Sequence, residues 1–167
     1  MGKNLLELKS LDVSEIRSIL DQAQAFHDGQ VFRGCEGRIA ANLFFEPSTR
    51  TQYSFHVAEE KLGLRVVSFN PAGSSLQKNE SFYDTVKTFD SFGVDLLVIR
   101  HVENEYYNQL TGRVNAKILN GGDGTGNHPT QSLLDLLTIR QQLDEKHGET
   151  SAGSIDLTRD GDYAVYS

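Results

Sequence analysis

From Ile39 to Phe45 the chain is apolar at nearly every position, and it then breaks at Glu46-Pro47 into Ser48, Thr49, Arg50 and Thr51. A run of this kind reads as a strand buried on both faces, the situation in a parallel sheet covered by helices. Downstream, Phe55, Ala58 and Leu62 keep helical spacing, and Gly63 supplies a stop. The strand therefore hands over to a helix at a cluster of hydroxyls and an arginine. A helix beginning near Ser48 or Thr49 directs free backbone N–H groups, and the positive end of its dipole, beyond the strand end. An anion is the natural occupant. Ser48, Thr49 and Thr51 add hydroxyl donors, and Arg50 adds a forked cation able to hold two phosphate oxygens. Taken alone, the same residues read more readily as a helix cap beside a solvated arginine, so the rest of the chain has to decide.

The rest repeats the strand-to-helix pattern. A first helix is expected from about Ser14 to His27, with Ile16, Ile19, Leu20, Ala23 and Phe26 as a core-facing stripe. Leu64 to Phe69 reads as a second strand and Asn70 to Ser75 as a loop. Phe82, Val86 and Phe89 mark a helix ending near Gly93, and a third buried strand follows at Leu96 to Ile99. A short helix containing Glu103, Glu105, Tyr106 and Tyr107 precedes a fourth strand around Lys117 to Leu119. The last helix begins after Pro129 and runs through Leu133, Leu136 and Leu137 to about Leu143. The alternation predicts an α/β fold, a doubly wound four-stranded parallel sheet with right-handed crossovers and helices on both faces. Ligands of such sheets bind at the carboxyl ends of the strands. Arg100, one residue past Ile99, is expected at that edge, and so is His128, preceded by the glycine-rich stretch Gly121 to Gly126 that lets backbone approach a ligand closely. His101 reads as structural rather than catalytic.

Composition narrows the partners. A length of 167 residues suits one domain and is too short for two ordinary ones. The single cysteine, Cys35, rules out an internal disulfide framework and suits a reducing compartment. No signal-peptide core and no apolar run of membrane-spanning length is present, so a soluble, cytoplasmic protein without a membrane partner is expected. The formal charge of −7 argues against nucleic acid. A cleft holding Arg50, Lys78 and Arg100 still focuses positive potential within an acidic protein. His27, His56, His101 and His147 match no metal-ligand spacing, so neither a metal nor another cofactor is expected.

Five blocks lie in order on these strand-to-helix junctions: Phe44 to Thr51; Gln77 to Glu80 with Asp84 and Thr85; Val98 to His101; Asn120 to Gly124; and His128 to Gln131 followed by Leu133 to Leu137. Together they resemble the aspartate carbamoyltransferases, from near the N-terminus to about Gln142. The ornithine carbamoyltransferases share the Ser48 to Thr51 motif and a His-Pro-Gln type motif, and form the sibling alternative. The Gln77 to Glu80 block and the Asn120 to Gly124 approach resemble the aspartate branch. The resemblance implies that residues 1–148 form a carbamoyl-phosphate-binding domain. It also implies transfer of the carbamoyl group from carbamoyl phosphate to the amine of L-aspartate, a step of pyrimidine biosynthesis. The implied substrate-binding residues are Ser48, Thr49, Arg50, Thr51, Arg100, His128 and Gln131, with Ser75 and Lys78 reaching in from a neighbouring subunit of a homotrimer. Of these, Arg50, Thr51, Arg100, His128 and Gln131 are the implied catalytic set: His128 donates to the carbamoyl oxygen and Gln131 recognises the carbamoyl amide. Regulatory chains attend some such assemblies.

The chemistry needs no protein nucleophile, and no Ser-His-Asp or Cys-His logic is visible. The amine of aspartate attacks the carbonyl carbon, and the tetrahedral oxyanion collapses to carbamoyl aspartate and phosphate. Rate comes from orientation and from fixed donors around the oxyanion. Gln52, His56, Asn79 and Gly121 depart from the commonest family pattern, which has arginine, glutamate, glycine and alanine there. Residues 149–167 show neither helical nor strand periodicity and read as a linker-like or aberrant tail where an aspartate-binding domain would begin. The chain is roughly half the family length. It is therefore expected to bind carbamoyl phosphate with little turnover alone, aspartate being engaged only if that domain is supplied. The alternative is a non-catalytic module that binds a phosphorylated anion or acts in assembly. Exposed apolar surface is expected wherever a second domain would lie.

Overall fold

The computed structural model describes residues 3–69 and 80–147. Its elements alternate as expected: α1 (Val13–His27), β1 (Ile39–Phe44), α2 (Thr49–Lys61), β2 (Arg65–Ser68), α3 (Phe82–Ser91), β3 (Leu96–His101), β4 (Lys117–Asp123) and α4 (Pro129–His147). Short 3-10 turns cover Leu8–Ser10 and Tyr106–Gln109. The four strands are all parallel, in the order β2-β1-β3-β4. This is the doubly wound α/β sheet expected from the strand-and-helix alternation.

The order contains the feature that matters for binding. The chain leaves β1 to form β2 on one side and then returns to form β3 on the other. The crevice above β1 and β3 is therefore the topological switch point, where such sheets bind ligands. Phe44 pairs with Arg100 across it, and Phe45 N donates to Arg100 O at 2.9 Å.

Alternate residues of β1 face opposite sides. On one side Ala41 and Leu43 join Leu97, Ile99 and Ile118 of the neighbouring strands, Val86 of α3, and Tyr106, Tyr107 and Leu110 after β3 in the main core. On the other, Asn42 meets Glu59 of α2. Leu97 is fully buried in the core. Leu97→Ala should cost about 2–5 kcal/mol, read as a lowered midpoint in denaturant unfolding with an unchanged slope.

Several boundaries differ from those expected, for identifiable reasons. The first helix starts at Val13 because Asp12 caps it, accepting from Glu15 N while the Glu15 side chain accepts from Asp12 N in a full capping box. Of its apolar stripe only Leu20 is buried, and Phe26 is exposed. The helix packs along α4, where Arg140 donates to Asp21 Oδ1 and Leu20 O and Gln141 Nε2 donates to Gln24 Oε1. The third strand continues through Arg100 and His101, since a polar side chain at a strand end does not interrupt the ladder. The fourth runs on through Gly121 and Gly122 to Asp123. Nothing periodic announced the segment at Leu5, which adds an isolated parallel bridge to the outer edge of β4. Leu5 N donates to Ile118 O at 3.0 Å, and Leu5 O accepts from Asn120 N at 2.9 Å. Among the described residues no helix is long and apolar enough to cross a membrane.

Candidate anion-binding site

The site forms where β1, β3 and β4 end side by side. β1 delivers the Ser48 turn into α2. Ser48 takes an extended conformation at the N-cap, yet its hydroxyl makes no capping bond; it donates instead to Thr51 Oγ1 at 3.0 Å. The N–H groups of the first helical turn, from Thr49 to Thr51, therefore keep no intrahelical or capping acceptor. Two hydroxyls and a cluster of amides face outward together, and Arg50 stands exposed on the same turn.

Arg100, on β3, is held from two directions. Its Nε donates to Glu46 Oε2 at 3.0 Å, and its Nη1 donates to Gly121 O at 3.3 Å. The side chain is only 20% exposed. Two of its donors are thus spent on positioning, and the remaining N–H groups stay available to an anion in the crevice.

Gly122 explains how the guanidinium fits. Its φ is +121°, and a Cβ built there would stand 2.6 Å from Arg100 Nη1 and 3.5 Å from His128 Cδ2. Arg100 and His128 thus share the space that a side chain at 122 would fill. The Gly121 to Gly126 stretch, expected to allow close approach, does so first for the protein's own arginine.

The loop that carries His128 is organised by a buried carboxylate. Asp123 is 2% exposed. Its Oδ1 accepts from Asn120 Nδ2 at 3.2 Å and from Asn127 N, and its Oδ2 accepts from Glu105 N at 2.6 Å. Asp123 N in turn donates to Asn127 O at 3.1 Å. These bonds close the turn that ends at His128, after which Pro129 opens α4 at the first helical position.

His128 is half-buried, and burial, reinforced by the nearby Arg100 charge, pushes its pKa below the usual histidine value of 6.5. Thr130 Oγ1 lies 3.3 Å from its Nδ1, and a hydroxyl donated there leaves the proton on Nε2. At neutral pH His128 is therefore an uncharged hydrogen-bond donor. His101 is also pushed down by burial; it packs against Phe45, Phe82 and Tyr106, with Nδ1 accepting from Glu103 N, which is the structural role expected of it. Histidines with lowered native values make stability full above the unfolded value near 6.5 and lose it as pH falls below that. Imidazole resonances of both residues followed by NMR should titrate below 6.5, and both should sharpen the acid limb of unfolding.

The described residues thus bring together Ser48, Thr51, Arg100 and His128 around one strand edge, with Thr49 and Arg50 on the adjoining turn. Gln131 lies in the first turn of α4 but is exposed, and its Nε2 donates to Asp135 Oδ1 at 2.9 Å along the helix. Its expected contact with a ligand requires that bond to be exchanged. Ser75 and Lys78 lie outside the described residues. Sequence reasoning gave no individual role to Glu46 or Asp123, and it read Gly122 only as part of a stretch that lets backbone approach a ligand. Glu46 carried a usable signal, since a carboxylate at a strand end beside a predicted arginine site is a ready partner for it.

The carbamoyl-P binding domain of the aspartate/ornithine carbamoyltransferases matches residues 3–141 of this chain. The chain belongs to that family. Among solved structures it resembles aspartate transcarbamoylase from Trypanosoma cruzi in complex with carbamoyl aspartate and phosphate, at 38% identity and a TM-score of 0.79, covering 85% of this chain and 47% of that one. The same enzyme in complex with carbamoyl phosphate and aspartate matches at 37% identity and a TM-score of 0.77, covering 85% and 48%. Its ligand-free form matches at 36% identity and 0.75, covering 85% and 47%. The chain spans less than half the length of those relatives.

Proposed function

We propose that residues 1–148 of this chain form the carbamoyl-phosphate half of an aspartate carbamoyltransferase. The observation that carries this reading is the doubly anchored Arg100, aimed into the switch-point crevice beside an uncapped helix N-terminus and a neutral histidine. The phosphate is held by the Thr49 to Thr51 amides, the hydroxyls of Ser48, Thr49 and Thr51, and the cations of Arg50 and Arg100. Ser75 and Lys78 complete the pocket from a neighbouring subunit of a homotrimer. The carbamoyl oxygen accepts from His128 Nε2–H and from Arg100, while Gln131 reads the amide.

In the reaction, the amine nitrogen of aspartate forms a bond to the carbonyl carbon and the C=O pair moves onto oxygen. Thr51, Arg100 and His128 stabilise that oxyanion. The C–O bond to phosphate then breaks, and the departing phosphate takes the amine proton. The donors are fixed before the charge develops, which is where such stabilisation is largest.

The aspartate branch is favoured over the ornithine branch by the identity to the aspartate enzymes above and by the Gln77 to Glu80 block. The donors gathered at this site address carbamoyl phosphate, which favours binding of that substrate with little transfer to aspartate by residues 1–148. Cytoplasmic pyrimidine biosynthesis is the matching setting. The test is a thermal-unfolding series with carbamoyl phosphate, run beside an assay for carbamoyl aspartate. Stabilisation that grows with ligand concentration, without turnover, is the expected outcome. Turnover by the purified chain would overturn the half-site reading, and absence of any stabilisation would overturn the binding assignment.

A further inference from the structure

The helix that bears the anion-binding turn is seated on the sheet by a carboxyl group that the reaction does not use. Phe55, Ala58 and Leu62 carry the helical spacing of α2 in the sequence, yet the buried residue of this helix is Glu59, 3% exposed. Its partner is Asn42 in the middle of β1, which is fully buried. Asn42 Nδ2 donates to Glu59 Oε2 at 2.8 Å. Among the described residues, Glu59 Oε1 and Asn42 Oδ1 are buried without any hydrogen-bond partner.

Those two orphaned atoms are both oxygens, and a carboxylate facing a primary amide leaves such a pair with no hydrogen between them. A carboxylic acid removes the defect. Its O–H donates to the amide oxygen while its carbonyl accepts from the amide nitrogen, so that both forks are filled. We propose that Glu59 is held as the neutral acid in a reciprocal acid–amide pair with Asn42, and that loss of its proton loosens the seating of α2 on β1.

The surroundings favour the neutral form. Burial pushes the Glu59 carboxyl up to about 7, against smaller opposing pulls from Asn42 and His56. Of the elements packed against it, β1 carries no charge and β2 carries only Arg65, exposed at its start. The loop before β1 carries Asp28, Arg33, Cys35, Glu36 and Arg38, and α2 itself carries Arg50, Tyr53, His56, Glu60 and Lys61. His56 is already engaged by Glu60 Oε1 at 3.4 Å. No cation is bonded to Glu59 among the described residues, and an uncompensated buried carboxylate is the costly alternative. The inference concerns the seating of a helix and holds whatever anion that helix binds.

The sign is opposite to that of an ordinary surface carboxylate. With the native value raised above the unfolded one, the contribution is full below the unfolded value near 4.5, declines as pH rises, and is lost above about 7. The two histidines with lowered values act in the opposite direction below 6.5, so the raw pH profile mixes the effects. Glu59→Gln separates them. Its amide fills both forks at every pH, and the histidines remain.

The experiment is denaturant unfolding of the wild-type chain and Glu59→Gln between pH 4.5 and 8.5. The ratio of their folding constants should change in favour of the variant by up to about tenfold per pH unit on the rising side, then level off above 7. A ratio independent of pH would overturn the proposal. Should the variant fail to fold, infrared spectroscopy of the wild-type chain labelled with carbon-13 glutamate decides. A protonated-carboxyl band at pH 6 that fades as pH rises through about 7 supports the acid–amide pair, and absence of that band at pH 6 overturns it.

Discussion

Replacing Arg100 with alanine is expected to weaken carbamoyl phosphate binding by about 2–5 kcal/mol, roughly thirty-fold to several thousand-fold. The size follows from how the side chain is held. Arg100 is mostly buried, donates to Glu46 and to Gly121 O, and keeps its remaining N–H groups for the ligand. Its truncation deletes the cation and also leaves the Glu46 carboxylate facing the anion site without its partner. That carboxylate then repels the phosphate it helped to recruit. Arg100→Lys should recover little, because a single ammonium cannot span Glu46, Gly121 O and a phosphate oxygen as the planar fork does. Calorimetric titration of each variant checks this, with cooperative unfolding confirming that the chain is intact. An alanine variant within about threefold of wild type would remove Arg100 from the site.

Gly122→Ala is expected to displace the same arginine while leaving it in the sequence. The added methyl would enter the space that Arg100 Nη1 occupies, 2.6 Å away, and it would do so at a φ of +121° that other residues rarely adopt. The backbone conflict costs of order 1–3 kcal/mol of stability. The guanidinium is the far end of a flexible side chain and can swing aside, so the chain should still fold. Swinging aside breaks its bonds to Glu46 and Gly121 O, and binding should fall by about a hundred-fold. Combining Gly122→Ala with Arg100→Ala gives the decisive comparison. If the methyl acts through the arginine, the double variant binds no worse than Arg100→Ala alone. Additive losses would mean that Gly122 contributes in some other way.

Much of this arrangement was legible because hydrophobic periodicity carries it. The apolar runs at Ile39, Leu64, Leu96 and Lys117 became four parallel strands, and the break after Phe45 became the turn into α2. The order of the strands, and hence the switch point that brings Ser48 and Arg100 together, followed from topology rather than from any residue. What escaped was polar and non-local. Glu59 stands in the run Glu59-Glu60-Lys61, which reads as a solvated helix face, and only the packing of α2 on β1 turns its first carboxylate inward. Glu46 looked like the end of a strand until β3 placed Arg100 beside it. Gly121 and Gly122 read as loop because glycine breaks strands, yet they continue β4 so that the guanidinium can lie over them. Leu5 had no pattern at all, since an isolated bridge needs no periodicity.

The most direct test of the central claim is calorimetric titration of the purified chain with a stable phosphonate mimic of carbamoyl phosphate, beside Arg50→Ala. The expected result is saturable binding to wild type that is lost or severely weakened in the variant. Equal binding by both proteins, or none by wild type under conditions where it unfolds cooperatively, would contradict the assignment of the β1–α2 turn as the phosphate site.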